Sequence, residues 1–144
     1  MKIRKPTKES KKFKSAPLYM ATINLTKALS YGVSKAPREL RYTLGRDMTR
    51  GAALLTHAFI EAYTEENMKE KRTKILFLSK CVKATQADID MAAQLNMLDG
   101  KSYPDVAEAY DKVSRQTAGW LLSMTDGSSA TKAPQTEIGN GEEA

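Results

Sequence analysis

The chain has 144 residues, 41% of them hydrophobic, which is enough for one domain with one real core. Lys+Arg 23 against Asp+Glu 17 gives a net charge of +6, and the single cysteine, Cys81, excludes an intramolecular disulfide. No apolar run approaches the roughly 20 residues that span a bilayer, and the charged N-terminus has no apolar stretch behind it, so neither a membrane span nor a secretory signal is expected and the compartment is read as cytoplasmic.

Residues 1–15 hold seven Lys/Arg and one Glu, with Phe13 as the only aromatic, and read as a disordered basic arm. Four helices are expected next, because apolar residues recur at helical spacing and no alternating run of useful length occurs. The first runs from about Ala16 to Val33, with Leu18, Thr22, Leu25 and Leu29 on one face. The second runs from about Pro37 to Glu65, with Leu40, Leu44, Met48, Gly51, Leu55, Phe59 and Ala62 inward. The third runs from about Met68 to Leu98, with Ile75, Leu78, Val82, Ile89 and Ala92 inward. The fourth runs from about Tyr103 to Met124 on a near-heptad stripe of Tyr103, Val106, Tyr110, Val113, Thr117, Trp120 and Met124. Residues 126–144 are rich in Gly, Ser, Thr, Pro and Glu and read as a disordered acidic tail.

Gly100 suits a left-handed end to the third helix, and Ser102 with Asp105 three residues on reads as an acidic capping box for the fourth. Connections this short make neighbouring helices antiparallel. The expected fold is therefore all-α: an up-down-up-down four-helix bundle over 16–125, between the basic arm and the acidic tail.

Motifs for catalysis do not assemble. Gly100-Lys101-Ser102 resembles the end of a phosphate loop, but Leu95 stands where that loop needs glycine and no strand precedes it. His57 is the only histidine, so a histidine-based metal site or triad has no second His. Asp88 and Asp90 are two apart on a helix and face different ways. The expectation is a non-enzyme with no metal or other cofactor.

The basic residues fall on faces. At about 100° per residue, Arg46, Arg50 and His57 lie within roughly 40° of each other on the second helix. Lys69, Arg72, Lys80 and Lys83 lie within roughly 80° on the third, nearly opposite its apolar stripe. Two such stripes on consecutive helices can sit side by side as a strip suited to a phosphate backbone. The plainer reading is that cations cover the solvated side of an amphipathic helix. Leu76 and Phe77 lie by the basic stripe, which marks either a protein contact or burial by the twist of a long bundle. Gly51 costs about 1 kcal/mol relative to Ala in mid-helix, which close helix approach or an oligomer contact would explain. Arg38 and Arg41 open a helix whose N-terminal dipole disfavours cations. On a regular helical wheel they point roughly 80° to 180° away from Arg46 and Arg50, so a subunit or partner boundary is their expected place.

Several segments together resemble a known family: Pro37-Arg38-Glu39-Leu40-Arg41-Tyr42-Thr43-Leu44-Gly45, Ile60-Glu61-Ala62, Lys71-Arg72, and the run Ser102…Tyr110…Gly119-Trp120-Leu121. Over about residues 16–125 the chain resembles the four-helix-bundle proteins of large-subunit ribosomal RNA intervening sequences, and within them the accessory variability determinant (Avd) of diversity-generating retroelements. The resemblance implies a ring-like homopentamer with a basic surface and no catalytic centre. It also implies a reverse transcriptase and its template RNA, or an RNA–DNA hybrid, as partners in mutagenic copying of a template repeat. The competing expectation is an oligomeric protein-interaction adaptor of the intervening-sequence type with no nucleic-acid role.

Overall fold

The computed structural model describes residues 12–129. Among them the regular structure is all helical. Helix α1 is Pro17–Val33, α3 is Met68–Gln94 and α4 is Ser102–Ser129. Helix α2 is one continuous rod made of Arg38–Leu40, a π turn at Arg41–Gly45, and Arg46–Thr64. Helices α1 and α3 each pack against both α2 and α4. The core between them holds Leu25, Leu29, Leu55, Phe59, Leu78, Val106 and Val113.

The inward residues expected on α1 and α3 are buried without exception, as the 3.6-residue period requires. One polar pair joins α1 to α2. Thr22 Oγ1 donates to the Tyr19 carbonyl at 2.7 Å and accepts from Thr56 Oγ1 at 2.9 Å, so the hydroxyls between the two helices are satisfied. At one end of the bundle Ala16 and Pro17 lie beside Phe59, Tyr63 and Trp120. At another, Lys35 Nζ is 3.9 Å from Asp99 Oδ2.

The structure differs from the expectations where a tertiary partner intervenes. Phe13–Ser15 form a 3-10 turn, not part of a disordered arm, because the Phe13 ring packs edge-on to Tyr19 at 5.3 Å. Residues 1–11 of the expected arm lie outside the described residues. Helix α4 runs to Ser129, five residues past Met124, so Gly127 does not stop it. Residues 130–144 of the expected tail also lie outside the described residues.

Helix α3 stops at Gln94, and the left-handed residue after it is Asn96, with φ 59°, not Gly100. Asparagine tolerates that conformation better than most residues. The early stop turns Met97 and Leu98 into the core. Ser102 does not cap α4 either, and its hydroxyl is buried. Asp99 caps instead, its Oδ1 accepting from Ser102 N at 2.7 Å and Lys101 N at 3.0 Å. Those N–H groups hold the Asp99 carboxyl below the usual carboxylate range.

Candidate nucleic-acid interface

Arg41 explains itself once α1 is beside it. Its Nη1 donates to the Ser34 carbonyl at 3.1 Å, just past the C-terminus of α1. An arginine near the N-terminus of its own helix thus serves the negative end of the preceding one. The arrangement recurs one connection later, where Lys71 Nζ donates to the Tyr63 and Glu65 carbonyls at 2.9 and 3.4 Å, at the end of α2. The Arg41 guanidinium also lies over the Tyr42 ring, 5.1 Å from its centre, and Arg38 lies 6.0 Å from the same ring. So Arg41 is committed within the chain, while Arg38 is exposed.

The π turn places Arg41. It spends five residues where an α turn spends about four, so Arg41 and Arg46, five apart, come onto one side of α2. Arg50 follows one α turn later. All three line a cleft of about 500 Å³ between the end of α1 and the start of α2. A regular wheel separates Arg41 from Arg46 and Arg50, and the π turn corrects that expectation. Thr43 Oγ1 donates to the Glu39 carbonyl at 2.7 Å inside this segment, a local bond that competes with regular helix geometry.

A second cleft, of about 250 Å³, continues along the same seam and is lined by Lys27, His57, Thr26 and Thr56. Ala53 lines both clefts. Among the described residues neither is lined by a carboxylate. Nothing in the sequence singles out Lys27. Its exposed position on α1 is unremarkable until α1 is known to flank the α2 stripe.

The α3 cations lie elsewhere. Lys69, Arg72, Lys80 and Lys83 are exposed and line neither cleft. The seam between α2 and α3 does not join two basic stripes. It holds Lys74, whose Nζ is 2.7 Å from Glu65 and 3.4 Å from Glu61, and a facing pair of acids, Asp47 and Asp88. The Asp88 carboxyl is pushed up by burial and by the nearby Asp47 charge. These residues, and not the two basic stripes, occupy the seam between α2 and α3.

Gly51 lies in that seam, half-buried, where an added Cβ would meet only Asp88 Oδ2 at 3.6 Å. Close helix approach therefore does not require it. The close approaches are at Gly32, whose Cβ would sit 2.6 Å from Leu98 Cδ2, and at Gly45, packed on Val33. Leu76 and Phe77 are 37% and 59% exposed, so the twist of the bundle does not bury them, and Leu54 on α2 is 54% exposed. Trp120 packs with Phe59 and Tyr63 at 5.7 and 6.3 Å as part of the core's aromatic end.

Cys81 is half-buried and its thiol is pushed up by burial, away from the thiolate that nucleophilic chemistry needs. Among the described residues no group of three or more His, Cys, Asp or Glu could hold a metal ion. No helix among them is long and apolar enough to cross a membrane. Comparison with family models, curated proteins and solved structures finds no match for this chain.

Proposed function

We propose that this chain is a non-catalytic nucleic-acid-binding accessory protein. The observation that carries the reading is the cleft that gathers Arg41, Arg46 and Arg50 with no carboxylate among the described residues that line it. Clustered cations with no acid lining the same cleft attract a polyanion by charge, and the contacts are sequence-tolerant and steeply salt-dependent. The resemblance of the Pro37–Gly45 segment and its companions adds the rest of the proposal. The partner is a retroelement reverse transcriptase with its template RNA, and the setting is mutagenic copying in the cytoplasm. The helices run up-down-up-down, which the short connections and the end contacts of α1 with α2 and α4 support. The assembly is a homopentamer.

A gel shift with structured RNA near physiological salt tests the nucleic-acid part. Retarded RNA, released as salt rises, is the expected result. Light scattering at micromolar concentration tests the assembly, and a monomer there sinks the ring. The reverse transcriptase is tested by the genomic neighbourhood, where a polymerase gene and a pair of near-repeats are expected beside this one.

One observation favours a second reading. Phe77 and Leu54 are more than half exposed on α3 and α2, which suits a protein partner. A protein-interaction adaptor needs no RNA, so an empty gel shift together with an intact oligomer supports it.

A further inference from the structure

We propose that the trough between α1 and α2 is a track for a phosphodiester backbone, contacted by Lys27, Arg46, Arg50 and His57, with Arg41 as a fixed charge at one end. The proposal rests on the nucleic-acid reading above and adds which face binds and which part of the ligand it touches.

Three features set this seam apart. The first is continuity. The two clefts share Ala53, and Gly45, Thr49 and Ala53 line the first of them with small side chains. From Arg41 to His57 the seam follows α2 for about 24 Å at the α-helical rise, which accommodates roughly seven nucleotides of a stacked strand at ~3.4 Å each. The second is charge. The crevice on the other side of α1 carries Asp105 and Glu108 with Lys112, whereas among the described residues no acid lines the α1–α2 trough. The third is availability. Lys71 and Lys74 are held by carbonyls and carboxylates at the end of α2. The side chains of Lys27, Arg46 and Arg50 make no hydrogen bond or ion pair with any described residue, so a phosphate displaces no existing pair.

The hydroxyls decide what is read. Thr26 donates to the Thr22 carbonyl, Thr49 to the Gly45 carbonyl and Thr56 to Thr22 Oγ1. Their hydrogens point into the protein, which leaves ionic contact as the main attraction for a strand. Phosphate contacts position a strand without reading its sequence. Arg41 is pre-set by Ser34 and Tyr42 and loses little freedom when a phosphate arrives.

The test is fluorescence anisotropy of the full chain with a short labelled RNA strand and a DNA strand of the same sequence, across a salt series. Two triple variants of equal charge are compared: Lys27→Gln/Arg46→Gln/Arg50→Gln in the trough and Lys69→Gln/Lys80→Gln/Lys83→Gln on α3. Circular dichroism first establishes that both fold. The trough variant is expected to bind at least about ten-fold more weakly. Its salt slope should flatten by about 2, from three lost contacts at ~0.7 each. The α3 variant should keep the wild-type slope. RNA and DNA should bind within a few-fold of each other. Equal losses in both variants, or an unchanged slope in the trough variant, overturn the track while leaving nucleic-acid binding in place. Binding of RNA alone overturns backbone-only contact. Failure of the wild type to bind either strand removes the nucleic-acid reading itself and the track with it.

Discussion

Replacing Gly51 with alanine should stabilise the protein, although glycine in the middle of a packed helix suggests the reverse. Glycine in a helix interior is about 0.8–1.0 kcal/mol worse than alanine, because its backbone has more freedom to lose. Against that gain stands whatever the new methyl meets. At Gly51 it meets one atom, Asp88 Oδ2, at an ordinary contact distance of 3.6 Å. The steric penalty is therefore near zero. A small cost remains, since the methyl takes water from a carboxyl that burial already pushes up. The net expectation is about 0.5–1 kcal/mol of added stability, or a rise of roughly 2–5 °C in Tm for a domain of this size. Thermal unfolding followed by circular dichroism reads it, and the gain should grow as pH falls and Asp88 takes its proton. Gly32→Ala is the matched control. Its Cβ would stand 2.6 Å from Leu98 Cδ2 and 3.3 Å from Ser102 Cβ, an overpacking that typically costs about 1–3 kcal/mol. Opposite signs for the two substitutions are expected. A loss of Tm at Gly51 would refute this, because α2 and α3 would then have to approach there more closely than the 3.6 Å contact allows.

Three further outcomes follow from the same structure. Asp88→Asn should stabilise the protein at neutral pH. With its carboxyl raised in the fold, Asp88 contributes stability that is complete below the ordinary carboxylate range and lost as pH rises through the raised value, so the variant should flatten the stability–pH curve just above that range. Asp99→Ala should lower Tm at neutral pH and leave it unchanged in strong acid. Its carboxylate, held down by the Ser102 and Lys101 N–H groups, contributes above its ordinary pKa and stops contributing as pH falls through the lowered one. Phe59→Ala should cost about 3–5 kcal/mol, because Phe59 is fully buried and packs on Tyr19, Tyr63 and Trp120. A lowered denaturant midpoint with altered Trp120 fluorescence checks it, and a midpoint unchanged from the wild type would mean the aromatic end is not packed as described.

The four helices are legible in the sequence because burial imposes the 3.6-residue period, and Leu25, Leu55, Ile75 and Val113 all keep it. The ends are not, because caps are chosen by geometry that composition does not carry. Asn96 and Asp99 end α3 and begin α4, while Gly100 and Ser102 look better on paper. The basic stripe on α2 is legible as a stripe, and its neighbour is not. A helical wheel says which side a residue lies on and not which helix flanks that side. Pairing α2 with α3 by chain order does not bring the two basic stripes together, since Glu61, Glu65, Asp47 and Asp88 occupy that seam. Arg41 is misplaced on a wheel for a different reason. Extrapolating 100° per residue assumes an uninterrupted α-helix, and the π turn breaks it.

That turn works as a one-residue insertion absorbed without a loop. The segment ahead of it keeps step with α1, and everything after it keeps step with the core, so α2 carries two reading frames on one axis. Removing a single residue between Arg41 and Gly45 would merge the frames. The rod would stay helical, but Arg41 would swing away from Ser34 and the trough would lose the fixed charge at one end, with Arg46, Arg50 and the core residues from Met48 onward still in place. Length variation in this segment among related chains would therefore report on the basic seam and leave the fold unmarked.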